Sequence, residues 1–385
     1  MKVITRIPPS PTGNLHIGTA RTALFNYLFA KKNGGKIILR SEDTDRERSK
    51  KEFEENIIES LNWLGIGYDE FQRQSERGEI YKKYIEKLLK DGSVYEAEEG
   101  VIRFKNPNTR IKFTDVVRGD IEFDTSDLEN FVIAKNVSEP LYHLAVVVDD
   151  HESGITHIIR GEDHISNTPR QILIQEAIGA TRPIYAHAPL ILAPDRSKLS
   201  KRHGATAVID YQAKGYLPEA MINYLALLGW NPGTDQEIFT MEELIKQFDL
   251  NKIQKGGAIF DEKKLAWVNK EHIKRLSPEV QKGMQIKTLK EEHYIKNRPD
   301  LDVEKMSWKN FSKEDTKKCL EEVNKLIPDT DAIMKYAERV GKGNVLWPLR
   351  YALSGEEKSP DPFTLIAVLG KDESISRVKK AIEIL

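Results

Sequence analysis

Hydrophobic positions in the first part of the chain alternate between short apolar runs and helical spacing. KVITRI and KIILRSED are short, mostly apolar runs typical of buried strands. Between them lies TARTALFNYLFAKKNGG, whose apolar residues recur on one face of a helix and whose glycines end that helix. The pattern predicts a strand, a helix and a second strand in that order.

A second helix is predicted after KIILRSED. Ser49 and Glu52 have the S-x-x-E spacing of a capping box, and apolar residues from Phe53 to Leu64 then mark one helix face. A further helix, near residues 80–90, is expected to end before Gly92. Alternating strands and helices predict an α/β fold with a parallel sheet wrapped by helices.

The pattern changes in two other regions. VIRFKNPNTRIKFTDVVRGDIEF reads as short strands with turns and repeated basic residues, so we expect an inserted antiparallel element between residues 101 and 135. Alternation resumes with YHLAVVVDD, ITHIIRGED, the helix that Pro169 opens and the strand PIYAHAPLIL. From about residue 275 the pattern predicts several short, charge-rich helices.

Composition narrows the class of protein. The chain has 385 residues, of which 39% are hydrophobic and 31% charged, enough for several domains with a sizeable core. No apolar run approaches the length of a membrane span and the N-terminus lacks the layout of a secretion signal, so we expect a cytoplasmic protein without membrane contact. The single cysteine excludes internal disulfides and multi-cysteine zinc sites. With a net charge of -1, any nucleic-acid partner has to be bound by local basic patches.

The loop RIPPSPTGNLHIGT, between the first strand and the first helix, is a candidate ligand site. Ligands of parallel α/β sheets lie at the carboxyl ends of strands, where a helix N-terminus points N–H groups at an anion. Gly13 and Gly18 permit close approach to the backbone, and His16 can donate to a phosphate oxygen. A rigid connection with a surface histidine is the alternative interpretation.

A second candidate loop is RSKLSKRHG. Four cations, Arg196, Lys198, Lys201 and Arg202, fall within seven positions, and the loop follows an apolar strand. Both lysines can reach one polyphosphate, although a charge run is more often a solvated surface. The segment DDHESGITHIIRGEDH contains aspartate and histidine side chains that are candidate metal ligands, but their spacings fit no common zinc pattern. Asp163 and His164 are expected to border a nucleotide pocket, while Asp149 and Asp150 brace loops.

Taken together, PSPTG, HIGT and KLSKR resemble the motifs of class I aminoacyl-tRNA synthetases, and the form RIPPSPTG resembles the glutamyl-tRNA synthetases in particular. SEDTDRER, YHLAVVVDD and THIIRGEDHISNTPRQ are further matches in register over residues 1–270. The similarity returns more weakly in WPLRYALSG and PFTLIAVLGK.

The resemblance implies a domain organisation. It divides a Rossmann-like parallel-sheet catalytic domain into residues 1–95 and 141–197, with a shortened acceptor-binding insert at 96–140. A KLSKR loop and stem-contact region at 198–275 and an all-α anticodon-binding region at 276–385 would follow.

The resemblance also implies the chemistry. Glutamate and ATP would form an adenylate, and the 3′ end of tRNA(Glu) would then accept the glutamyl group, with tRNA(Gln) left open as a second acceptor. The substrates would be L-glutamate and ATP with Mg²⁺, the catalytic residues would be His16, Lys198 and Lys201, and a monomer is expected. Residues implied in ATP binding are Pro11, Thr12, Gly13, His16, Gly18, Thr19, Asp163, Leu190, Ile191, Lys198, Ser200 and Lys201.

Glutamate carries two carboxylates and one ammonium, so its site needs both cations and an anion. The resemblance assigns the cations to Arg6 and Arg160, the anion to Glu42 and a hydroxyl to Tyr142. Pro8, Ser10 and Val146 complete the implied site. Structural roles remain open for three of these residues: a surface strand position for Arg6, a turn cap for Glu42 and a core edge for Tyr142.

Three features depart from the family pattern. Many relatives carry a cysteine-based zinc knuckle in the insert, whereas VYEAEEG here runs straight into VIRF, so no metal site and no bound zinc are expected. The helical C-terminal part is shorter than usual, so no residues are assigned to anticodon reading. Thr19 stands where many class I enzymes have histidine.

Other functions compete with this interpretation. A glutaminyl-tRNA synthetase would favour a different form of the PSPTG loop. A tRNA-modifying glutamyl transferase would lack KLSKR and the C-terminal helices, and a small-molecule nucleotidyltransferase would not need the basic insert. A non-catalytic RNA-binding paralogue would be expected to lose His16 or the lysines, which are present.

Overall fold

The structure is a computed structural model that describes residues 2–200, 206–277, 280, 293–309 and 311–385. The chain divides into two compact units, residues 1–273 and 274–385. Lys201 lies outside the described residues.

The first unit contains all the strands described in the chain. They are β1 (Ile4–Ile7), β2 (Lys36–Ser41), β3 (Glu70–Arg73), β4 (Val94–Glu96), β5 (Ile102–Phe104), β6 (Arg110–Asp115), β7 (Gly119–Asp124), β8 (Phe131–Asn136), β9 (Glu139–Pro140), β10 (His157–Gly161), β11 (Ile184–Ala188), β12 (Ile191–Leu192) and β13 (Ala258–Ile259). Its α-helices are α1 (Ile17–Lys32), α2 (Lys51–Trp63), α3 (Gly78–Lys90), α4 (Tyr142–Glu152), α5 (Thr168–Ile178), α6 (Val208–Ala213), α7 (Pro218–Leu227), α8 (Met241–Gln247) and α9 (Glu262–Ile273).

A parallel layer forms the centre of this unit. Strands β1, β2 and β3 pair in parallel, and so do β10 and β11. The N–H of Thr156, just before β10, donates to the carbonyl of Ile4 at 3.0 Å, so β10 lies beside β1. The strands therefore follow the order β3-β2-β1-β10-β11, which confirms the predicted Rossmann-like α/β fold and puts the point where the order reverses between β1 and β10.

Side chains of β2 show how the layer is buried on both faces. Ile37 and Leu39 join the core that α1 and α7 cover, whereas Ile38 joins the core of α3, α4 and α5. Successive strand residues point to opposite faces, so a nearly continuous apolar strand serves both cores.

The start of α2 corrects one prediction. The N-cap is Lys50, which makes no side-chain capping hydrogen bond, so the capping box of Ser49 and Glu52 is wrong. The N–H of Lys50 donates to the carbonyl of Pro11 at 2.9 Å. This contact with the first loop fixes where the helix begins, and the capping motif does not take part.

The insert is antiparallel, as predicted, but consists of two pieces. Strands β4, β5, β8 and β9 form one antiparallel sheet, while β6 and β7 form a hairpin. Asp115, at the end of β6, pairs with Tyr185 of β11 in parallel. The hairpin thus extends the central layer, which the sequence pattern did not predict.

The described part of the second unit is helical. Its α-helices are His293–Lys296, Lys313–Leu326, Thr330–Val340, Lys342–Ser354, Pro362–Leu369 and Lys371–Ile384. Leu320, Leu349 and Val378, from three of them, lie fully buried in one core. Across the described parts of both units, no helix combines the length and apolar character required to traverse a bilayer.

A close backbone approach at Gly35 generates a test of the fold. A Cβ atom there would lie 2.4 Å from the carbonyl oxygen of Val3, so we expect Gly35→Ala to lower the free energy of unfolding by about 1–3 kcal/mol. Gly67→Ala is the matched control, because a Cβ atom there meets nothing within 4 Å. Urea denaturation of both variants measures the difference, and equal stabilities would contradict the packing described at Gly35.

Candidate active site

His16 caps the N-terminus of α1 at the carboxyl end of the central layer. Its Nδ1 accepts a hydrogen bond from the N–H of Gly18 at 3.0 Å. In a neutral imidazole the remaining hydrogen is then on Nε2, which can donate to an acceptor. The loop therefore combines a ring N–H donor with the N-terminal N–H groups of a helix, an arrangement that favours an anion.

A cavity of about 390 Å³ opens at this end of α1. It is lined by seven of the residues expected to bind ATP: His16, Gly18, Thr19, Asp163, Leu190, Ile191 and Lys198. Pro8 and Arg160, expected at the glutamate site, also line it, together with His164. The two candidate loops and the ends of β1 and β10 are thus brought to one cavity.

Lys198 is held at the cavity by Asp163. Its Nζ lies 2.8 Å from Asp163 Oδ2, and its backbone forms an isolated bridge with Leu192. Partial burial opposes the charge of Asp163, but the hydrogen bond from Lys198 and the charges of His164 and Lys198 together outweigh it and lower the pKa of this carboxyl below its ordinary value. The ammonium group of Lys198 is thus present at the cavity beside the N-terminus of α1 before any ligand is bound.

The residues that follow the lysine loop return to the same helix end. The carbonyl of Thr206 accepts from the N–H of Ile17 at 2.8 Å, and the N–H of Val208 donates to the carbonyl of Leu15 at 2.9 Å. Described residues on both sides of the loop are therefore anchored at the start of α1 or at the cavity wall.

A larger cavity, of about 700 Å³, adjoins the first. Ser10, Thr12, Glu42 and Tyr142 line it. The hydroxyl of Tyr142 is hydrogen bonded to His164 Nδ1 at 3.1 Å, and His164 lines the smaller cavity, so the two cavities meet at this pair. Burial and the nearby Glu42 raise the pKa of Tyr142 to about 12, which keeps its hydroxyl protonated as a donor.

Beneath the cavities lies a buried ionic cluster, which we define as Arg6, Arg40, Glu42 and Asp150. Arg40 Nη1 lies 2.7 Å from Asp150 Oδ1, and its Nη2 lies 2.9 Å from Glu42 Oε1. Arg6 Nε lies 3.3 Å from the same oxygen of Asp150. The side chains are at most 7% exposed, so their charges must balance one another.

The cluster controls the charge at Glu42. Burial raises the pKa of Glu42, while the guanidinium groups of Arg40 and Arg6 act against that rise. Arg6 keeps a buried Nη1 that finds no acceptor among the described residues. A buried guanidinium N–H without an acceptor is costly, so an incoming carboxylate oxygen would stabilise it.

Arg160 is held differently, by neutral groups. Its Nε donates to His187 Nε2 at 3.0 Å, its Nη1 to Gln171 Oε1 at 2.8 Å and its Nη2 to Thr168 Oγ1 at 2.8 Å. Burial, with a contribution from Arg6, lowers the pKa of this guanidinium. Arg6, paired with a carboxylate, and Arg160, held by neutral groups, are therefore two separate buried guanidinium groups.

Comparison with known proteins now decides the family. Residues 2–100 and 95–267 match the model described as tRNA synthetases class I (E and Q), catalytic domain, and residues 242–382 match an anticodon binding domain. The chain belongs to the class I tRNA synthetases (E and Q). A glutamate–tRNA ligase of Aquifex aeolicus is 41% identical over 99% of this chain and 99% of its own length. That of Carboxydothermus hydrogenoformans is 39% identical over 98% and 99%.

Solved structures of the family agree in fold. A crystal structure of a glutamate tRNA ligase from Elizabethkingia meningosepticum, in complex with its amino acid, has a TM-score of 0.78 and 34% identity, with full coverage of both chains. The glutamate-tRNA synthetase of Elizabethkingia anophelis gives 0.74 and 34%, also over both full chains. The resemblance first identified from the motifs is thereby confirmed.

Some residues of the expected site are not brought to either cavity. Arg6, Pro11, Gly13 and Ser200 are absent from both linings, and Lys201 lies outside the described residues. Val146 is a buried residue of α4 that lines neither cavity. Asp149 pairs with Arg40 and Arg77, and Asp150 pairs with Arg40, whereas the sequence predicted that both carboxylates would brace loops.

Sequence reasoning missed two arginines that the structure makes prominent. Arg40 is the centre of the ionic cluster, and Arg21 lines the smaller cavity while donating to the carbonyls of Leu228 and Pro189. The available signal was a basic residue within the apolar strand KIILRS and within the apolar face of α1. Charged residues at such positions are almost never buried unless they are paired.

The metal interpretation gains no support from the part of the chain that the structure describes. No group of three His, Cys, Asp or Glu side chains is arranged there to hold a metal ion. His164 instead pairs with Tyr142, and His157 with Thr156.

The partly buried His143 predicts a pH dependence of stability. Burial, reinforced by Arg170 and Arg160, lowers its pKa from 6.5 to about 4. The unfolded chain therefore binds this proton at a higher pH than the folded chain, so stability is lost as the pH falls from 6.5 towards 4. At pH 5 we expect the loss from His143 to be about 2 kcal/mol.

Urea denaturation at pH 7.5 and pH 5 measures this loss. His143→Gln should lose less stability on acidification than the unsubstituted chain, by about 2 kcal/mol. The matched control is His151→Gln, at an exposed position of the same helix. An identical acid-induced loss in His143→Gln and the unsubstituted chain would contradict the burial of an uncharged imidazole.

Proposed function

We infer that the protein is a glutamate–tRNA ligase, which joins L-glutamate to the 3′ end of tRNA(Glu) with consumption of ATP, for protein synthesis. Family membership through the whole chain supports the reaction class. The observation that carries the assignment to specific residues is the convergence of the α1 N-terminus, His16 and Lys198 on one cavity that adjoins Glu42, Tyr142 and the buried arginines.

We propose that the smaller cavity binds ATP. His16 Nε2–H and the N-terminal N–H groups of α1 would donate to phosphate oxygens, and Lys198 would exchange Asp163 for the phosphates. Lys201, three residues further along the loop, is proposed for the same task by its sequence position. Mg²⁺ enters as the counter-ion of the triphosphate, and we assign no residue to hold it.

The first step forms the adenylate. An oxygen of the glutamate α-carboxylate attacks the α-phosphorus of ATP, a phosphorus–oxygen bond forms and pyrophosphate leaves. Charge develops on the departing phosphates, where the cations and helix N–H groups at this cavity are positioned to stabilise it. In the second step a ribose hydroxyl of the terminal adenosine of the tRNA attacks the carbonyl carbon, and AMP leaves.

We propose that glutamate lies at the junction of the two cavities. Glu42 would accept from its ammonium group, and Tyr142 and Ser10 would add hydroxyl contacts. Arg6, through Nη1, and Arg160 would bind carboxylate oxygens. The substrate thus supplies the acceptor that Arg6 Nη1 lacks.

Binding of tRNA is supported by the match of residues 242–382 to an anticodon binding domain. We propose that the antiparallel insert of residues 96–140 contacts the acceptor end and that residues 198–275 contact the stem. Charging of tRNA(Gln), a monomeric state, a cytoplasmic location and the lack of bound zinc remain predictions.

The amino-acid specificity can be tested directly. Bulk tRNA is incubated with the protein, ATP and each of the twenty amino acids in turn, and acid-precipitable radioactivity is counted. We expect incorporation with glutamate, because the site pairs two buried cations with one anion. Incorporation with a different amino acid in place of glutamate would overturn the proposal.

Lys198 provides a test of the ATP site. Lys198→Ala should lower kcat for glutamate charging by about 10²–10³-fold, the effect of losing one well-placed donor to a developing charge. We expect the same result for Lys201→Ala. Lys214→Ala is the matched control, since this lysine is exposed and contacts the ring of Tyr211. Charging assays with tRNA present measure kcat, and circular dichroism shows whether the variant is folded. An unchanged kcat in folded Lys198→Ala would show that Lys198 has no part in the mechanism.

A further inference from the structure

The orientation of Arg160 depends on a histidine that lines neither cavity. Arg160 Nε donates to His187 Nε2 at 3.0 Å, and the two side chains lie on neighbouring strands, β10 and β11. His187 is fully buried. Its imidazole therefore contacts the back of the guanidinium and not the space in front of it.

A carboxylate lies on the other side of the same ring. His187 Nδ1 is 2.6 Å from Asp115 Oδ2, and both side chains are fully excluded from solvent. Asp115 Oδ1 also accepts from the N–H groups of Val117 and Arg118, each at 2.9 Å. Burial alone would raise the pKa of Asp115, but the hydrogen bonds from His187 and Arg118 lower it, so the group is an ionised acceptor.

These contacts permit one protonation state of the ring. Burial lowers the pKa of His187, so the imidazole is neutral and carries one hydrogen. Asp115 can only accept, which fixes that hydrogen on Nδ1. Nε2 is then left with its lone pair, which is the form required to accept from Arg160 Nε. The other tautomer would set two N–H donors against each other.

We propose that Asp115 and His187 are a positioning pair for amino-acid recognition: the carboxylate fixes the tautomer of His187, and His187 fixes the direction of the Arg160 guanidinium towards its carboxylate ligand. This inference rests on the proposed role of Arg160 in binding glutamate. Gln171 and Thr168 hold the two terminal nitrogens and His187 holds Nε, so the three contacts together fix the plane and direction of the guanidinium.

The position of Asp115 connects the inserted hairpin to Arg160. Asp115 ends β6 of the inserted hairpin, while His187 and Arg160 belong to the central layer. In the turn of the same hairpin, Arg118 Nη2 lies 2.5 Å from Glu162 Oε2, and Arg118 Nε donates to the carbonyl of His187. The hairpin therefore completes the glutamate site from behind in addition to extending the sheet.

The first experiment uses Asp115→Asn. Its amide can donate to Nδ1 of His187 and so favour the wrong tautomer. We expect KM for glutamate to rise about 10- to 100-fold, the effect of misdirecting one charged hydrogen-bond donor, while kcat and KM for ATP stay within about threefold. Asp120→Asn is the matched control, since Asp120 is exposed on the same hairpin and bonds only Thr114 among described contacts.

Substitution of His187 supplies a second, independent measurement. His187→Gln keeps a carbonyl oxygen near the position of Nε2 and should retain a KM within about fivefold of the unsubstituted chain. His187→Leu removes the acceptor and should raise KM for glutamate about 10- to 100-fold. Equal KM values in the two variants would overturn the proposal even if Asp115→Asn did not fold.

Nitrogen-15 spectra of the histidine-labelled chain separate this proposal from the proposed function. Nδ1 of His187 should show the shift of a protonated nitrogen and Nε2 that of an unprotonated one, and Asp115→Asn should reverse them. If the unsubstituted chain charges no glutamate, the proposed function fails while the tautomer still tests the pair. If glutamate is charged and folded Asp115→Asn keeps an unchanged KM, the positioning role is wrong.

Discussion

Charge balance around Asp150 is the constraint on which the site depends. One buried carboxylate is shared by arginines from β1 and β2, and the second of these arginines also holds Glu42. Removing any member would leave an uncompensated buried charge, which is far more costly than losing a surface ion pair. The cluster therefore ties helix α4, which carries Asp150, to strands β1 and β2 beneath the cavities.

The two candidate carboxylate-binding arginines are held by opposite means. Arg6 is neutralised by an anion, whereas the described partners of Arg160 are uncharged side chains and a carbonyl. Arg6 also lowers the pKa of Arg160, so the two cations disfavour each other in a buried site. A ligand with two carboxylates would relieve that repulsion, and a ligand with one carboxylate would leave part of the repulsion in place. On the proposed role of these arginines, the charge that they present favours a dicarboxylic amino acid, in addition to the shape of the cavities.

The sequence was sufficient for the fold class and for the order of strands and helices along the first part of the chain, because apolar periodicity and turn residues act locally. The end of α1 at its glycines and the helix opened by Pro169 are examples. It was insufficient where a distant partner decides the outcome. The backbone contact between Lys50 and Pro11 accompanies the start of α2, and the capping box at Ser49 does not form. Arg40 could not be recognised as the centre of an ionic cluster, because its partner Asp150 lies 110 residues away in the sequence.

The candidate site shows the same division. The histidine and lysine motifs could be proposed as ligand loops from the sequence, and the resemblance then implied their roles, since each motif is a short segment of chain. His187 and Asp115 gave no such signal, because 72 residues separate them and neither contacts either cavity. A residue that works by orienting another residue is visible only when the strands that carry both are paired.

The strand order also bears on how the protein is made. β1 is synthesised well before its neighbour β10, which begins at His157. Until that segment emerges, Arg6 lacks Asp150 and one edge of β1 lacks the backbone partner that Thr156 provides. While the residues between β1 and β10 are synthesised, the nascent chain therefore carries an open, charged strand edge, and chaperone protection has the most to contribute in that interval.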